Sequence, residues 1–456
     1  MTSLIADEAL ASLEDFAGEL LRPGDDGYDE ARRGYNGLID RSPALIARCR
    51  GEADIAAAVG FAGEAGLDVS IRGGGHSVAG RCLVDDGIVI DLSALKGIFI
   101  DPEARVARVQ PGVSWGELNR DTQLHGLAVT GGLISTTGVS GLTLGGGLGW
   151  LMPRYGLATD NLLSARVVTA DGRTLTASES ENADLFWGLR GGGGSFGVVS
   201  SFEFQLHPVG PLITGGLVAH PIDAAEEFLR FYRDFAAGSS DDLMTFAVLA
   251  HAPDGSGAKL AVCIACHVGE PDQAEEDIRP LREFGTPAVV ELGPMPYTVL
   301  NSMLDDGYPT GSLNYWKSGF LSEFSDAVIG EALQRFAVCP SPMTSVLFEH
   351  FHGAVTRVPV EETAVPHREP GYNYAITSVW TDPASTDENV EWTREAFEAM
   401  EPFMTGRRYV NYLADDDVGE EPAQAAFGTN FARLAEVKAA YDPANLFRQG
   451  ANVAPG

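Results

Sequence analysis

Basic residues, cysteines and long apolar runs are scarce in this sequence. Its 456 residues include 31 Lys and Arg against 64 Asp and Glu, so the formal net charge is −33. A field of that sign repels nucleic-acid phosphates and anionic membranes, so we expect neither nucleic acid nor a membrane as a partner. No segment approaches the ~18 consecutive apolar residues that would span a bilayer.

The five cysteines are an odd number, which argues against a full disulfide framework and for reduced thiols. Residues 1–16 lack the basic start and the apolar core of a signal peptide. Both observations predict a cytoplasmic protein. Cys263, Cys266 and His267 match the C-x-x-C-H pattern of haem attachment, but strand alternation would place the two thiols on opposite faces. We therefore expect no haem or metal site.

The pattern of apolar residues predicts an α+β protein with a domain boundary near Pro208–Pro211. Before that point short strands alternate with helices. Beyond it the sequence predicts a larger sheet with helices on one face. The strands predicted for that sheet are residues 242–251, 258–268, 344–356, 372–380 and 407–413.

What the sequence has in abundance is glycine, with 54 residues that fall in clusters. Arg72–His76 reads RGGGH and follows a predicted strand, so three unhindered backbone N–H groups form a nest that suits phosphate oxygens. Residues 131–149 and 191–197 hold two further clusters. One such loop alone could be a tight structural turn, but the three together predict a long neutral groove for an extended dinucleotide.

The third glycine cluster also fits motifs of two other enzyme classes. Gly193–Gly197 matches the G-x-S-x-G nucleophile elbow of hydrolases, and Gly192–Gly197 matches the G-x-G-x-x-G loop of Rossmann folds. Both motifs open a helix, whereas the residues that follow, VVSSFEFQL, alternate like a strand. A glycine turn packed against a ligand is therefore favoured over both alternatives.

Six segments, spread over nearly the whole chain, form a recognisable set. They are RGGGHSVAG (72–80), GVSGLTLGGGLGWLMPRYGLATDN (138–161), DLFWGLRGGGGSFGVV (184–199), AVPHREPGYNY (364–374), YVNYL (409–413) and KAAYDPANLFRQGANVAP (438–455). Their order and content resemble the FAD-linked oxidases of the berberine bridge enzyme type, in the vanillyl-alcohol oxidase superfamily. The resemblance is greatest to the bacterial branch that includes 6-hydroxy-nicotine oxidase and antibiotic-tailoring oxidoreductases.

The resemblance implies a two-domain FAD-binding fold of the vanillyl-alcohol oxidase type. Residues 1–208 would form the FAD-binding domain. Residues 209–414 would form a substrate-binding domain of antiparallel sheet covered by helices. Residues 415–456 would return to the FAD-binding domain.

For the cofactor, the resemblance implies FAD joined through His76 to its 8α-methyl carbon. Ile134 stands where doubly linked relatives have a cysteine, so no cysteinyl link is expected. The other residues expected to contact FAD are Arg72, Gly73, Gly74, Gly75, Ser77, Gly80, Gly138, Val139, Gly141, Gly146, Gly147, Tyr155, Gly156, Leu157, Asp160, Asn161, Val199 and Asn452.

The catalytic base implied by the resemblance is a tyrosine of the YVNYL segment, which we expect to be a strand. Tyr412 is the first choice and Tyr409 the reserve, because strand alternation would let only one of them reach the flavin. The carboxylate that other relatives carry on the strand after P-H-R falls on Ala375, which leaves a phenolate as the remaining candidate base.

The partner of that tyrosine is expected on the strand around residue 350. Alternation there puts His350 and His352 on one face and Glu349 on the other, and we expect His350 to tune Tyr412. Tyr372, Tyr374 and His352 are expected to shape the substrate pocket.

The activity implied by the resemblance is that of an FAD-dependent oxidase. A hydride would pass from a C–H of an alcohol, sugar, amine or natural product to flavin N5, and then to O2, giving H2O2. One alternative is a dehydrogenase with another electron acceptor. Another is a flavin-fold protein that binds a ligand without redox turnover.

Overall fold

The computed structural model describes Ile5 and residues 9–456. Its first sheet has four strands, three of them parallel neighbours. In spatial order the strands are Glu19–Leu21, Leu45–Arg48, Ile88–Asp91 and Val69–Arg72. The helix Glu52–Ala65 connects two of the parallel strands. Strand Val69–Arg72 ends at the first glycine cluster, so the sheet fixes where that cluster begins.

The second sheet has five antiparallel strands. In spatial order they are Ile98–Asp101, Val106–Val109, Val198–Gln205, Leu162–Val168 and Thr174–Ser178. Strand Val198–Gln205 directly follows the glycine cluster 191–197. That cluster opens a strand and not a helix, which agrees with the sequence argument against a nucleophile elbow or a Rossmann loop.

The third sheet, here called the large sheet, has seven antiparallel strands. In spatial order they are Val289–Pro296, Leu212–Pro221, Lys259–His267, Leu243–His251, Ser345–Phe351, Gly371–Trp380 and Leu313–Leu321. Two short strands, Leu127–Ala128 and His207–Pro208, pair separately.

The large sheet has a helix face and a cleft face. The helices that pack against the helix face are Ala225–Ala237, Pro271–Glu283, Asp326–Ala337 and Thr386–Met400. Phe348 and Tyr374 lie in the core on that face. Leu347 and Ala375, one residue away along the same strands, lie in the core on the cleft face, as the two-residue period of a strand requires.

The other α-helices of the described residues are Tyr28–Ala31, Trp115–Thr122, Val139–Leu144, Met152–Tyr155, Ala183–Leu189, Tyr297–Ser302, Glu420–Phe427 and Phe431–Tyr441.

The last of these helices packs against the first part of the chain. Leu434 and Val437 share a core with Phe186 and Phe202. The buried Lys438 ammonium donates to the carbonyl of Ser195 at 2.7 Å, which ties the third glycine cluster to the C-terminal segment.

These elements confirm the predicted α+β fold with a helix-covered antiparallel sheet. One predicted strand is wrong. Residues 407–413 contain no strand and form a 3-10 turn at Val410–Tyr412. The Phe320 amide of the large sheet donates to the Arg407 carbonyl, but residues 409–413 turn away and line the cleft. The five cysteines are buried and unpaired. Among the helices of Ile5 and residues 9–456, none has the length and apolarity of a membrane span.

Candidate active site

The first two glycine clusters meet in a long cleft between the large sheet and the two smaller ones. A Cβ atom on Gly74 would lie 2.5 Å from the Cα atom of Gly138, and one on Gly138 would lie 2.7 Å from Cα of Gly74. Such distances exclude any side chain at either position. The two backbones therefore approach as closely as they do only because both residues are glycine.

Other glycines leave open space at the wall of the cleft. Gly141, Gly193 and Gly194 line it, and a Cβ atom on any of them would meet no protein atom within 4 Å. A side chain there would occupy the cleft and not the protein interior. Bare backbone at these positions suits a ligand whose phosphates are contacted by N–H groups, and apolar neighbours such as Val199 and Phe447 suit flat rings. The residues present therefore fit FAD.

His76 stands at the rim of this cleft, directly after Gly75, whose φ of 72° is in the left-handed region. Its ring stacks on Tyr35, with centroids 3.9 Å apart. Its Nε2 atom lies 3.4 Å from the hydroxyl of Thr136. Burial lowers the pKa of His76 to about 4, so its imidazole is neutral at physiological pH and one ring nitrogen carries a lone pair.

The structure brings part of the predicted cofactor set to the cleft. Those that line it are Gly73, Gly74, Gly75, His76, Ser77, Gly138, Gly141 and Val199. Those that it places outside the lining are Arg72, Gly80, Val139, Gly146, Gly147, Tyr155, Gly156, Leu157, Asp160, Asn161 and Asn452.

Contacts within the protein explain why the segment around residue 160 stays outside. Asp160 accepts two hydrogen bonds from Arg368, at 2.7 and 2.8 Å, and both side chains are buried. Tyr155 stacks on His207, with ring centroids 4.0 Å apart. Asn161 is hydrogen-bonded to His207 at 2.6 Å. These contacts hold the segment against Arg368 and His207.

Similar reasons apply nearer the first cluster. The Arg72 guanidinium donates to the carbonyl of Ala31. Gly80 packs under the side chain of Ile39, which a Cβ atom would approach to 2.5 Å. Val139 lies in the hydrophobic core. For Gly80 and Val139 a requirement of the fold, and not contact with the cleft, explains the residue type.

Tyr412 lines the cleft and donates a hydrogen bond to Glu349 Oε1 at 3.1 Å. The Asn373 amide donates to the other carboxyl oxygen at 2.5 Å. Glu349 is only 1 % exposed, and burial raises its pKa to about 7. Burial first, and then the carboxylate of Glu349, raises the pKa of Tyr412 well above its usual value. At neutral pH Tyr412 is therefore a neutral phenol, and not the phenolate expected from the sequence, and its O–H proton is directed at the Glu349 carboxyl oxygen.

The prediction that His350 tunes Tyr412 is wrong. His350 points to the helix face, where its ring stacks on His352 at 4.0 Å and on Tyr372 at 5.1 Å. Tyr372 and Tyr374 lie in the core of that same face, so neither they nor His352 shape the cleft. The alternation along the strand was predicted correctly, but the wrong face was assigned to the active site.

Tyr409 has a different environment from Tyr412. Its hydroxyl oxygen accepts hydrogen bonds from the Gly147 and Leu148 amides and from the Asn411 side chain, at 3.0, 3.2 and 2.9 Å. The 3-10 turn brings both tyrosines to the cleft, with ring centroids 5.0 Å apart. Tyr409 thus anchors the second glycine cluster, while Tyr412 contacts a carboxyl group.

Comparison with known proteins identifies the family. A family model described as an FAD binding domain matches residues 43–178, and one described as berberine and berberine like matches residues 408–454. The (R)-6-hydroxynicotine oxidase of Paenarthrobacter nicotinovorans is 31% identical over 98% of both chains. The chain belongs to the berberine-like family of FAD-linked oxidoreductases. It is an FAD-binding oxidoreductase.

Solved structures agree with this membership of the FAD-linked oxidoreductases. The crystal structure of 6-hydroxy-D-nicotine oxidase from Arthrobacter nicotinovorans has a TM-score of 0.89 and 28% identity, with 97% of this chain and 98% of that chain covered. Glucooligosaccharide oxidase from Acremonium strictum has a TM-score of 0.88 and 25% identity, with 98% and 99% covered. The latter is described with 6-S-cysteinyl, 8α-N1-histidyl FAD.

Several residues of this oxidoreductase site escaped the sequence reasoning. Glu349 and Asn373 form the carboxyl–amide pair behind Tyr412. Tyr308 and Trp316 add aromatic walls to the cleft. The alternation around residue 349 was a usable signal for Glu349. Nothing in the sequence around Tyr308 or Trp316 marks them, because they reach the cleft only through the tertiary fold.

Proposed function

We propose that this FAD-linked oxidoreductase is an oxidase that converts a CH–OH or CH–NH group of its substrate to C=O or C=N and reduces O2 to H2O2. The chemistry that FAD supplies when bound is hydride acceptance at N5. The observation that carries the proposal is the hydrogen-bonded series from Tyr412 through Glu349 to Asn373, which opens on a glycine-lined cleft.

The protein's own part in the reaction is to remove a proton. In the proposal Tyr412 takes the O–H or N–H proton of the substrate as its own proton passes to Glu349, 3.1 Å away. Asn373 fixes the carboxylate through its second oxygen. Glu349 must be ionised to accept the proton, and a pKa of about 7 leaves much of it ionised at neutral pH.

We further propose that His76 carries FAD through a single covalent bond. The neutral ring at the cleft rim and the histidyl link described for glucooligosaccharide oxidase support this bond. Ile134 lines the cleft and stands where the resemblance places the cysteine of the second link, which supports the absence of a cysteinyl bond at this position.

The link is tested by acid precipitation and peptide mass spectrometry. Denatured wild-type protein should keep its yellow colour, and the flavin-bearing peptide should contain His76. His76→Ala should release all flavin on denaturation but still bind FAD when folded, because the glycine backbone of the cleft is unchanged. A cysteinyl flavin, or free FAD from the wild type, would contradict the proposal.

Two sequence predictions stay proposals. The division into residues 1–208, 209–414 and 415–456 is supported by the shared core of the last helix and the second sheet and by the Lys438–Ser195 contact. A cytoplasmic location rests on the sequence argument alone.

Stopped-flow absorbance tests whether the enzyme is an oxidase or a dehydrogenase. Holoenzyme reduced anaerobically is mixed with aerated buffer, and the flavin absorbance and H2O2 are followed. We expect reoxidation within the turnover time and one H2O2 for each flavin reduced. A reduced enzyme that persists in air but is reoxidised by a quinone dye would instead identify a dehydrogenase.

A further inference from the structure

The end of the cleft beside Tyr412 is a chamber with aromatic and aliphatic walls. The ring of Trp316 lies 5.7 Å from that of Tyr412 and 5.8 Å from that of Tyr308, centroid to centroid, at interplanar angles of 80° and 74°. We call this part of the cleft the aromatic chamber. The side chains that define it are Leu133, Leu304, Tyr308, Trp316, Leu347, Thr377 and Tyr412.

The polar side chains of the aromatic chamber are already paired within the protein. The hydroxyls of Tyr308 and Thr377 are 2.9 Å apart, and Thr377 also donates to the carbonyl of Ser345. Tyr412 donates to Glu349, and the indole N–H of Trp316 donates to Asn314. The chamber therefore presents few free donors or acceptors to a substrate.

This pairing separates two classes of substrate. An aromatic wall alone would suit the face of a sugar as well as a flat ring. A sugar, however, carries several hydroxyls per ring, and each one that enters without a partner loses its hydrogen bonds to water. A flat apolar molecule with one polar group loses far fewer. Sites that hold polyhydroxylated ligands need a matching set of free polar groups.

We propose that the substrate of this enzyme is a planar aromatic or conjugated molecule with a single oxidisable hydroxyl or amine, which the aromatic chamber directs at Tyr412. This inference rests on the proposed function. For an alcohol, the C–H bond breaks with its electron pair and the O–H bond breaks as a proton. The C=O bond forms, and O2 takes up two electrons and two protons to give H2O2.

The test compares two probes, 2-naphthylmethanol and cellobiose, on the holoenzyme without O2. We expect 2-naphthylmethanol to bleach the flavin and cellobiose to leave the spectrum unchanged at a 100-fold higher concentration. Reduction by cellobiose at comparable concentration, or a flavin spectrum that 2-naphthylmethanol neither bleaches nor perturbs, would overturn the inference.

Binding is measured separately in Tyr412→Phe, where turnover is slowed, from the perturbation of the flavin spectrum. In that background, adding Trp316→Leu should raise the Kd for 2-naphthylmethanol about tenfold, and Trp316→Phe should restore most of the affinity. Tyr372→Phe, on the helix face, is the matched control and should leave the Kd unchanged. An unchanged Kd in the Trp316→Leu variant would also overturn the inference.

Flavin reduction tests the proposed function, and perturbation of the flavin spectrum on binding tests the substrate class. If 2-naphthylmethanol perturbs the flavin spectrum, cellobiose does not, and neither probe reduces the wild-type flavin, the substrate class is supported and the proposed oxidation by Tyr412 and Glu349 is contradicted. Because the two probes are compared on the wild-type holoenzyme, this part of the test does not depend on whether the Trp316 variants fold.

Discussion

The two faces of the large sheet bury ionisable groups of opposite kinds. On the cleft face, burial raises the pKa of Glu349 to about 7. On the helix face, burial lowers the pKa of His350, the next residue, to about 3. Only Glu349 has a partner, Tyr412, that reaches a cleft. A perturbed pKa therefore does not mark the active site by itself; what distinguishes Glu349 is a proton path that ends at open space.

Replacing one tyrosine on each face of the large sheet should give the largest difference in the rate of flavin reduction by substrate. Tyr412→Phe removes the proton acceptor, and we expect flavin reduction by substrate to slow ~10²–10⁴-fold, the range of a lost general base. Tyr372→Phe should change that rate less than about twofold, because its ring lies among the helices. Both rates are measured by anaerobic stopped flow, with the flavin spectrum as a check on folding.

Two outcomes would contradict this assignment. Normal reduction in Tyr412→Phe together with a severe loss in Tyr409→Phe would move the base to Tyr409. A normal rate in both variants would show that hydride removal needs no tyrosine base.

Replacing Glu349, the carboxyl partner of Tyr412, should have a smaller effect on the rate of flavin reduction, and this effect should depend on pH. Because only ionised Glu349 can accept the proton of Tyr412, the wild-type rate of reduction should rise as pH increases through about 7. Glu349→Gln should lower the rate at pH 8 roughly 10–100-fold and abolish that rise. His350→Gln is the control and should keep the wild-type profile. A profile that survives in Glu349→Gln would assign the titration to another group.

Sequence reasoning was accurate where the physical constraint is local. The RGGGH loop follows its strand, and the alternation of Glu349 with His350 and His352 is as predicted. It failed where the answer depends on which elements meet in space. Helices cover one face of the large sheet, and this leaves the other face to meet the cleft. The 3-10 turn at Val410–Tyr412 depends on distant contacts, because the preceding Tyr409 hydroxyl binds the amides of Gly147 and Leu148, ~260 positions earlier.

Glu349 and His350 should also make the free energy of unfolding depend on pH, in opposite directions and by smaller amounts. The pKa of Glu349 is higher in the folded protein than the ordinary 4.5, so its contribution to stability is fully present below about pH 4.5 and is lost as pH rises through about 7. The pKa of His350 is lower than the ordinary 6.5, so its contribution is present above about pH 6.5 and is lost as pH falls toward about 3.

Thermal unfolding across pH measures both effects. From pH 6 to pH 8 the wild type should lose roughly 1 kcal/mol through Glu349, a loss that Glu349→Gln removes. From pH 7 to pH 5 it should lose roughly 1–2 kcal/mol through His350, a loss that His350→Gln removes. Each variant is the control for the other, since each should flatten one side of the stability profile and leave the other side as in the wild type. If one variant flattened both sides, the two faces would titrate as one coupled unit, and the separation of a catalytic face from a structural face would fail.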